Sequence, residues 1–421
     1  MIDSPISHSR LLYETVAHTR IHRFTTSKRD SKRSQQQRYK NRCIFPLAAN
    51  EKIDKLHDCV QRIQQLSMAV DLGFVEKCEN WQLESRFFPS KAGGKPAWLD
   101  LKNIPGKGDL ECEYCGDPCV FLCQIYAPYE EDSNAFHRTI YIFVCKNADC
   151  CKPNQNGNLK VFRSQLNRIN NFYPAEPPVE QKDWRTDIDV SQWTKTCRIC
   201  GILAPNHCGK CKVINYCSRV HQVYDWKNGH KDVCGTEAKN DNSFLFSEYE
   251  IVMETDNTTI ENDQNEPNSE EKEIEKYNSI IQDGKAGTFQ NEDVNDDLLQ
   301  MANDEKNETF AEFRLKIDNY PDQILRYDRG GKVLYISSHS QITDVPKCPE
   351  CNGNRQFEFQ IMPQLLNFLD LKDVIKNLDW GILAIFTCKQ SCIPKNKYIK
   401  EYIWKQDIVQ EESELRINQS M

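Results

Sequence analysis

Eight possible metal ligands lie close together in the middle of the chain. They form four pairs whose partners are separated by two or three residues: Cys197/Cys200, Cys208/Cys211, Cys217/His221 and His230/Cys234. A gap of two residues between cysteines is typical of a zinc knuckle, and a gap of three suits one turn of a helix. Thiolates and imidazoles are the usual protein ligands of Zn²⁺. The spacing therefore predicts two tetrahedral zinc sites, each built from two pairs.

The same stretch resembles the MYND-type zinc finger. The resemblance is carried by a Tyr-Cys-Ser step at 216–218, by Gln222 and Trp226, and by a His-Lys-x-x-Cys ending at 230–234. It implies interleaved ligand sets, namely Cys197, Cys200, Cys217 and His221 on one ion, and Cys208, Cys211, His230 and Cys234 on the other. Many such fingers have Cys where His221 stands here. Imidazole is an equally good zinc ligand, so this difference leaves the architecture unchanged.

Two further sets of four cysteines flank the finger. Each combines a Cys-x-x-Cys step with a second pair at the end of an apolar run: Cys112, Cys115, Cys145 and Cys150, then Cys348, Cys351, Cys388 and Cys392. Zinc ribbons close in this way, so we expect four Zn²⁺ per chain. Cys151 competes with Cys150 as the fourth ligand of the first set. The alternative is that the second pairs are ordinary buried thiols, as we expect for Cys119 and Cys123.

The two outer sets belong to an internal repeat. Four landmarks recur in the same order: a Gly-Gly turn (Gly93-Gly94 and Gly330-Gly331), a Cys-x-x-Cys step, an apolar run, and a second apolar run that ends in cysteines. The runs are rich in β-branched and aromatic residues, which predicts buried strands. The predicted fold is mainly β (α+β). Duplicated β-rich units form one bipartite domain, with an inserted MYND-type zinc finger and an acidic disordered linker.

Composition divides the chain into five segments. They are a basic, disordered extension with one possible helix (1–67), an N-terminal β-unit (68–180), the finger (195–236), the acidic linker (237–315) and a C-terminal β-unit (316–410). The extension is expected to lie outside the natural protein, with Met68 as its start, or to be a transit peptide. The linker cannot bury enough apolar surface to fold. It is either a spacer or a binding segment for a basic partner.

Charge and hydropathy limit the classes of partner. The 421 residues carry 54 Lys and Arg against 62 Asp and Glu, a net charge of −8. This balance argues against nucleic acid as a partner and favours a basic protein. No apolar run is long enough to cross a bilayer, so no membrane partner is expected. The twenty cysteines occur without an apolar signal peptide, which favours intracellular thiolates that bind metal over disulfides.

The chain from Val70 to about Ile408 resembles the programmed cell death protein 2 family. The resemblance is carried by FPSKAGGKPAWL, CQIYAP, AFHRTIYIFVC, VFRSQLNR with NFYP, the finger, YDRGGKVLYIS, CPECNGNRQFEFQIMPQLL and DWGILAIFTC. It implies a chaperone in ribosome biogenesis, found in the cytoplasm and nucleus. The implied client is newly made protein two of the small ribosomal subunit, which is basic.

A binding role is predicted in preference to an enzyme. Asn206-His207-Cys208 resembles part of a lysine methyltransferase site, but Cys208 is predicted to bind zinc, and the sequence contains no nucleotide-binding loop or nucleophile elbow. His137 is the best candidate base, although a lone histidine at the start of a strand is more often structural. The alternative function is a MYND-mediated adaptor or corepressor in transcriptional or proliferation and apoptosis control. In that case, proline-rich peptides would bind beside Trp226, unless Trp226 belongs to the finger's own core.

An extended client could add to a sheet edge or lie in the cleft between the β-units. Gly-Gly allows another backbone to approach closely. The loops at Gly93-Gly94 and Gly330-Gly331 are therefore expected to line the client surface.

Overall fold

The computed structural model describes residues 70–236, 244–256, 308–369, 378–393 and 397–408. The strands are β1 (Asp71–Glu76), β2 (Lys91–Ala92), β3 (Val120–Tyr126), β4 (His137–Val144), β5 (Leu159–Leu166), β6 (Asn206–His207), β7 (Asn215–Tyr216), β8 (Tyr249–Thr255), β9 (Leu325–Tyr327), β10 (Arg355–Ile361), β11 (Ile382–Cys388), β12 (Tyr398–Lys400) and β13 (Tyr402–Gln406). This β-rich architecture confirms the predicted fold class. The predicted extension and most of the predicted linker lie outside the described residues.

Helices are short and peripheral. Helix α1 (Arg219–Asp225) continues through a π-helical turn (Trp226–His230) into α2 (Lys231–Val233), and α3 (Glu308–Asp318) precedes the second unit. The 3₁₀ turns are Asn80–Leu83, Ser85–Phe87, Ser133–Ala135, Ala148–Cys150, Val190–Gln192 and Pro363–Phe368. Over the described part of the chain, no helix has the length and apolarity needed to span a membrane.

Eleven strands form one sheet that nearly closes on itself. Their order is β12-β5-β4-β3-β2-β8-β1-β9-β10-β11-β13. The two outermost strands are separated in sequence by Glu401 alone, so one run of chain pairs with β5 of the first unit and with β11 of the second. Strands β12 and β13 are thus the two edge strands of the described sheet, and the expected binding of a client at a sheet edge stays a prediction.

The two units exchange their first strands. Strand β1 lies beside β9 of the second unit, while β8 lies beside β2 of the first, and β1 and β8 pair with each other over six positions. Strand β8 and the start of α3, at 308–315, fall inside the segment predicted as the acidic disordered linker, 237–315, so these two parts of the segment have regular structure. Acidic residues surround β8 in the sequence, but Ile251 and Met253 point into the core, and this alternation stabilises a central strand.

Matched side chains show that the units are structural repeats. In the first unit, Gln124 accepts a hydrogen bond from the amide of Ala97 at 2.9 Å and donates one to its carbonyl at 3.2 Å. In the second, Gln360 makes the same pair of bonds with Leu334, at 2.8 and 3.0 Å. The hairpins β3–β4 and β10–β11 also have bulges at equivalent positions, two residues before these glutamines. The internal repeat predicted from the four landmarks is confirmed.

The first Gly-Gly turn is filled by the chain itself. Gly93 has φ +68°, and a Cβ atom there would lie 1.8 Å from the carbonyl oxygen of Ser247. The amide of Gly94 donates to the carbonyl of Phe246 at 3.0 Å. The close backbone approach that these glycines allow is therefore made by residues 246–248, and the expectation that the turn lines a client surface is wrong.

A buried ion pair joins the two units. Arg138 on β4 donates two hydrogen bonds to the carboxylate of Glu358 on β10, at 2.7 and 2.9 Å, and both side chains are fully buried. The hydroxyls of Tyr327 and Thr387 also donate to Glu358. Burial alone would raise the pKa of this carboxyl, but the guanidiniums of Arg138 and Arg329 and the Thr387 hydroxyl lower it to about 2. The carboxylate therefore stays charged and holds the first unit against the second.

Replacing Glu358 with Gln should destabilise the whole domain. The change keeps the shape but leaves the Arg138 guanidinium buried without a counter-charge, which typically costs about 3 to 5 kcal/mol. Urea unfolding monitored by fluorescence measures the loss. The matched control is Glu131→Gln, since Glu131 is exposed. Equal stability of the two variants would contradict this role for the ion pair.

Candidate metal centres

All four Cys-x-x-Cys steps adopt the same knuckle. In each, the residue after the second cysteine has a positive φ, between 56° and 76°, and donates its amide to the carbonyl of the first cysteine at 2.8 to 2.9 Å; these residues are Gly116, Gly201, Lys212 and Asn352. This turn points both sulfurs of a step to one side. Four unrelated loops would not be expected to share this turn, so the common backbone conformation of the four Cys-x-x-Cys segments indicates a common role in metal binding.

The first finger quartet is fully buried. Cys197 and Cys200 on one knuckle meet Cys217 and His221, and the four donor atoms lie within 4.8 Å of one another. Nδ1 of His221 lies 3.1 Å from Sγ of Cys217 and 3.6 Å from Sγ of Cys197. The position of this imidazole is fixed because α1 begins at the Ser218 cap, whose hydroxyl accepts the His221 amide hydrogen at 3.3 Å. Nδ1 is therefore the nitrogen that faces a metal.

The second finger quartet is partly exposed. Sγ of Cys208 lies 3.9 Å from Sγ of Cys234, and Sγ of Cys211 lies 3.7 Å from Nε2 of His230. Nδ1 of His230 is buried and has no hydrogen-bond partner among the described residues. The π-helical turn at 226–230 places His230 beside the knuckle. Here Nε2 is the nitrogen that faces a metal.

Each β-unit holds a quartet of four cysteines. In the first unit, Cys115 and Cys145 are 3.6 Å apart between sulfurs. In the second, the Cys348–Cys392 and Cys351–Cys388 distances are 3.7 and 3.6 Å. One cysteine of each knuckle, Cys115 or Cys351, is exposed, whereas the strand-end cysteines Cys145 and Cys388 are buried.

These distances fit zinc and not disulfides. Ligands held tetrahedrally at about 2.3 Å from one ion lie about 3.8 Å from each other. The sulfur–sulfur distances of 3.6 to 3.9 Å agree with that spacing, and are far longer than the roughly 2.05 Å of a disulfide bond. Zn²⁺ is the cofactor that these thiolate and imidazole sets fit. It would supply the structural bonds that hold each knuckle to its second pair of ligands.

The structure distinguishes Cys150 from Cys151. Cys150 lies in the first-unit quartet, at the end of the 3₁₀ turn 148–150. Cys151 points the other way, and its thiol donates to the carbonyl of Asp379 in the second unit at 3.3 Å. Cys119 and Cys123 are buried core thiols, and burial raises the pKa of both.

The finger shares a hydrophobic core with the first β-unit. The indole N–H of Trp98 donates to the carbonyl of Gly201, between the ligands of the first finger quartet, at 2.8 Å. The amide of Leu203 donates to the carbonyl of Pro105 at 3.0 Å. Ile199, Ile202 and Tyr216 of the finger pack with Trp98 and the outer face of the sheet. No local pattern in the sequence indicates this contact, because residues about 100 positions apart form it.

The outer surface of the finger is apolar and basic. Val213 is 69% exposed and Val223 is 40% exposed. Trp226 is partly buried, with its ring 5.8 Å from that of His230 and 6.0 Å from Nζ of Lys210. Trp226 therefore packs beside the second quartet and is also partly exposed; peptide binding beside it stays a prediction.

His137 is a packed residue of the first unit. Its ring stacks on Phe88 at 4.4 Å, and Nδ1 lies 2.9 Å from the hydroxyl of Tyr126. Burial, with help from Arg168, lowers the pKa of His137 to about 4. A neutral histidine enclosed by aromatic rings stabilises the core, as expected for a structural residue.

Models of known families match most of the residues that the structure describes. The models for the N-terminal and C-terminal domains of programmed cell death protein 2 match residues 69–180 and 307–407, and the MYND finger model matches 197–234. No solved structure matches the chain.

The curated relatives agree with the family models. Programmed cell death protein 2 of Mus musculus is 42% identical over 349 residues, which cover 80% of this chain and 96% of the mouse protein. Programmed cell death protein 2-like of Homo sapiens is 26% identical over 325 residues, 73% of this chain and 86% of that protein. Probable 20S rRNA accumulation protein 4 of Schizosaccharomyces pombe is 35% identical over 98 residues, 20% of this chain and 24% of that protein. The chain belongs to the programmed cell death protein 2 family.

Proposed function

We propose that this chain is a zinc-stabilised, non-enzymatic chaperone in ribosome biogenesis, acting in the cytoplasm and nucleus. Its client is newly made protein two of the small ribosomal subunit. The observation that carries the proposal is family membership, together with a relative in Schizosaccharomyces pombe that is named for the accumulation of 20S rRNA.

The physical properties of the chain support a basic client. Ribosomal proteins are strongly basic and are exposed to aggregation before they meet rRNA, so a protector must screen positive charge. This chain has a net charge of −8. Its large sheet nearly closes on itself, and the Arg138–Glu358 ion pair that joins the two units is fully buried, which favours a rigid scaffold.

The finger contributes to the scaffold through its metals. We assign one Zn²⁺ to Cys197, Cys200, Cys217 and His221, and one to Cys208, Cys211, His230 and Cys234. The first ion would fix the knuckle whose Gly201 carbonyl receives the Trp98 hydrogen bond. The second would fix the outer half of the finger, which carries the exposed valines and lysines.

The adaptor function is the second candidate. The finger exposes Val213 and Val223, and Trp226 is partly exposed with Lys210 beside its ring; groups of this kind could hold a proline-rich peptide. Val213 and Val223 are not metal ligands, so both can be changed while all eight ligands of the finger stay in place.

The two finger quartets should differ in their effect on stability. Cys200→Ser should remove one zinc and lower the melting temperature of the whole β-domain, because Cys200 is fully buried in the core that Trp98 shares. Structural zinc contributes on the order of 10 kcal/mol to folding. Cys211→Ser, the matched change in the partly exposed quartet, should also remove one zinc but unfold only the outer finger.

Calorimetry and zinc analysis of the same samples measure both effects. If the Cys200→Ser protein retains the native melting temperature after losing its zinc, the shared core does not couple the finger to the sheet.

The function is tested by purification of the tagged full chain from cells in which translation has been briefly halted. Protein two of the small subunit should be the most enriched ribosomal protein, and it should elute as salt is raised, since the attraction is between opposite charges. The Val213→Asp and Val223→Asp double variant should bind it equally well.

Depletion of this protein from cells tests whether the ribosomal protein needs it. If the ribosomal protein stays equally soluble and equally assembled without the chain, the chaperone function is excluded. If, in addition, the double valine variant loses its chromatin-associated partners, the adaptor function is the correct one.

A further inference from the structure

The cysteine quartet of each β-unit lies against the other unit. In the second unit, the loop from Cys388 to Cys392 contacts β5 of the first unit. The guanidinium of Arg163 donates to the carbonyl of Cys392 at 3.3 Å, and a second nitrogen lies 3.9 Å from its sulfur. The side-chain amide of Gln165, also on β5, donates to the carbonyl of Ser391 at 3.1 Å. The second quartet therefore touches the first unit through one of its own ligands.

The reciprocal contacts start from the loop that follows Cys150. The ammonium of Lys405 on β13 donates to the carbonyl of Lys152 at 3.1 Å. The amide of Asn154 donates to the carboxylate of Asp407 at 2.6 Å, and the amide of Asp407 donates back to Oδ1 of Asn154 at 2.8 Å. The thiol of Cys151 adds the bond to Asp379. The loop of the first quartet is thus fastened to the second unit.

Arg163 and Lys405 occupy equivalent positions on the last strands of the two repeats, counted in register from the equivalent glutamines. Both are buried cations, with exposed fractions of 0% and 2%. Each projects from its own unit to a backbone carbonyl beside the quartet of the other. A repeated, reciprocal contact between buried charged groups is a built feature of the interface and not a chance approach of two loops.

Glu401 links the second-unit quartet to the point where the two end strands of the sheet meet. Its carboxylate accepts hydrogen bonds from Arg163 at 2.7 Å and from Arg355 at 2.8 Å, and it also accepts the amide hydrogen of the ligand Cys388 at 3.2 Å. All three charged side chains are at most 5% exposed. The position of Cys388 is therefore coupled to the residue that separates β12 from β13.

We propose that Cys112, Cys115, Cys145 and Cys150 bind one Zn²⁺, that Cys348, Cys351, Cys388 and Cys392 bind another, and that each ion clamps the two units together. The ion orders a short loop within its own unit. The ordered loop then presents carbonyl and amide groups to the cation or carboxylate of the opposite unit. Removing one zinc therefore loosens the far side of the interface as well as the loop itself.

Paired variants test this reciprocal effect in the full chain. Cys392→Ser should lower the zinc content by one and raise hydrogen exchange in β5 of the first unit and in β12. Cys150→Ser should also lower it by one, and should raise exchange at 379–381 and 405–408 of the second unit. The matched control is Cys151→Ser, which keeps a donor for Asp379 and should retain all the zinc. Zinc is counted by native mass spectrometry, and exchange is followed by peptide mass analysis.

Two results would overturn the proposal. One is unchanged zinc in both ligand variants, which would show that the quartets hold no metal. The other is the loss of zinc with faster exchange only in the mutated unit, which would show that the ions stabilise local loops and do not clamp the units.

A variant that leaves every ligand in place covers the case in which the serine variants do not fold. Lys405→Met removes the contact with the Lys152 carbonyl and the ion pair with Asp407, which itself bonds to Asn154 of the same loop. One of the four ions should therefore pass to a competing chelator several-fold faster than in the native chain. Lys332→Met, an exposed change on the same unit, should leave all release rates unchanged. Identical release from both variants would contradict the clamp.

Discussion

The rest of the structure depends on Glu401, the residue at which the two end strands of the sheet meet. A buried carboxylate is tolerated only where opposite charges and donors surround it, and here Arg163 comes from the first unit and Arg355 from the second. The carboxylate is satisfied only when the two units are together. The exchange of β1 and β8 adds the same requirement at the opposite side of the sheet. Neither unit has its full set of neighbouring strands without the other.

Features that depend on local spacing could be predicted from the sequence. A knuckle is determined by four or five consecutive residues, so spacing and resemblance were enough to group the four ligand sets, and the structure brings the same residues together. The repeat was also predictable, because the Gly-Gly turns and strand-end cysteines recur in order. The structure extends this repeat to Gln124 and Gln360 and to a pair of equivalent bulges.

Other features depend on contacts between distant residues, and the sequence contains no local pattern for them. The Arg138–Glu358 pair joins residues 220 positions apart. The residues next to each of them in the sequence do not indicate that the charged side chain is buried. Strand β8 lies in an acidic stretch. The composition of that stretch as a whole predicts a linker, although Ile251 and Met253 within it point into the core. The Gly93 turn was correctly predicted as a place of close approach, but the approaching backbone belongs to residues 246–248 of the same chain. The choice between Cys150 and Cys151 likewise required the position of Asp379.

The central claim is that the two β-units, joined by exchanged strands and buried charges, form one cooperative body and not two domains linked in sequence. Hydrogen exchange of the zinc-loaded chain at increasing urea concentrations tests this most directly, because it reports each unit separately. Amides of β4 and β11, at the centres of the two units, should become exchangeable at the same urea concentration. Two separate midpoints, with one unit protected after the other has opened, would contradict this account.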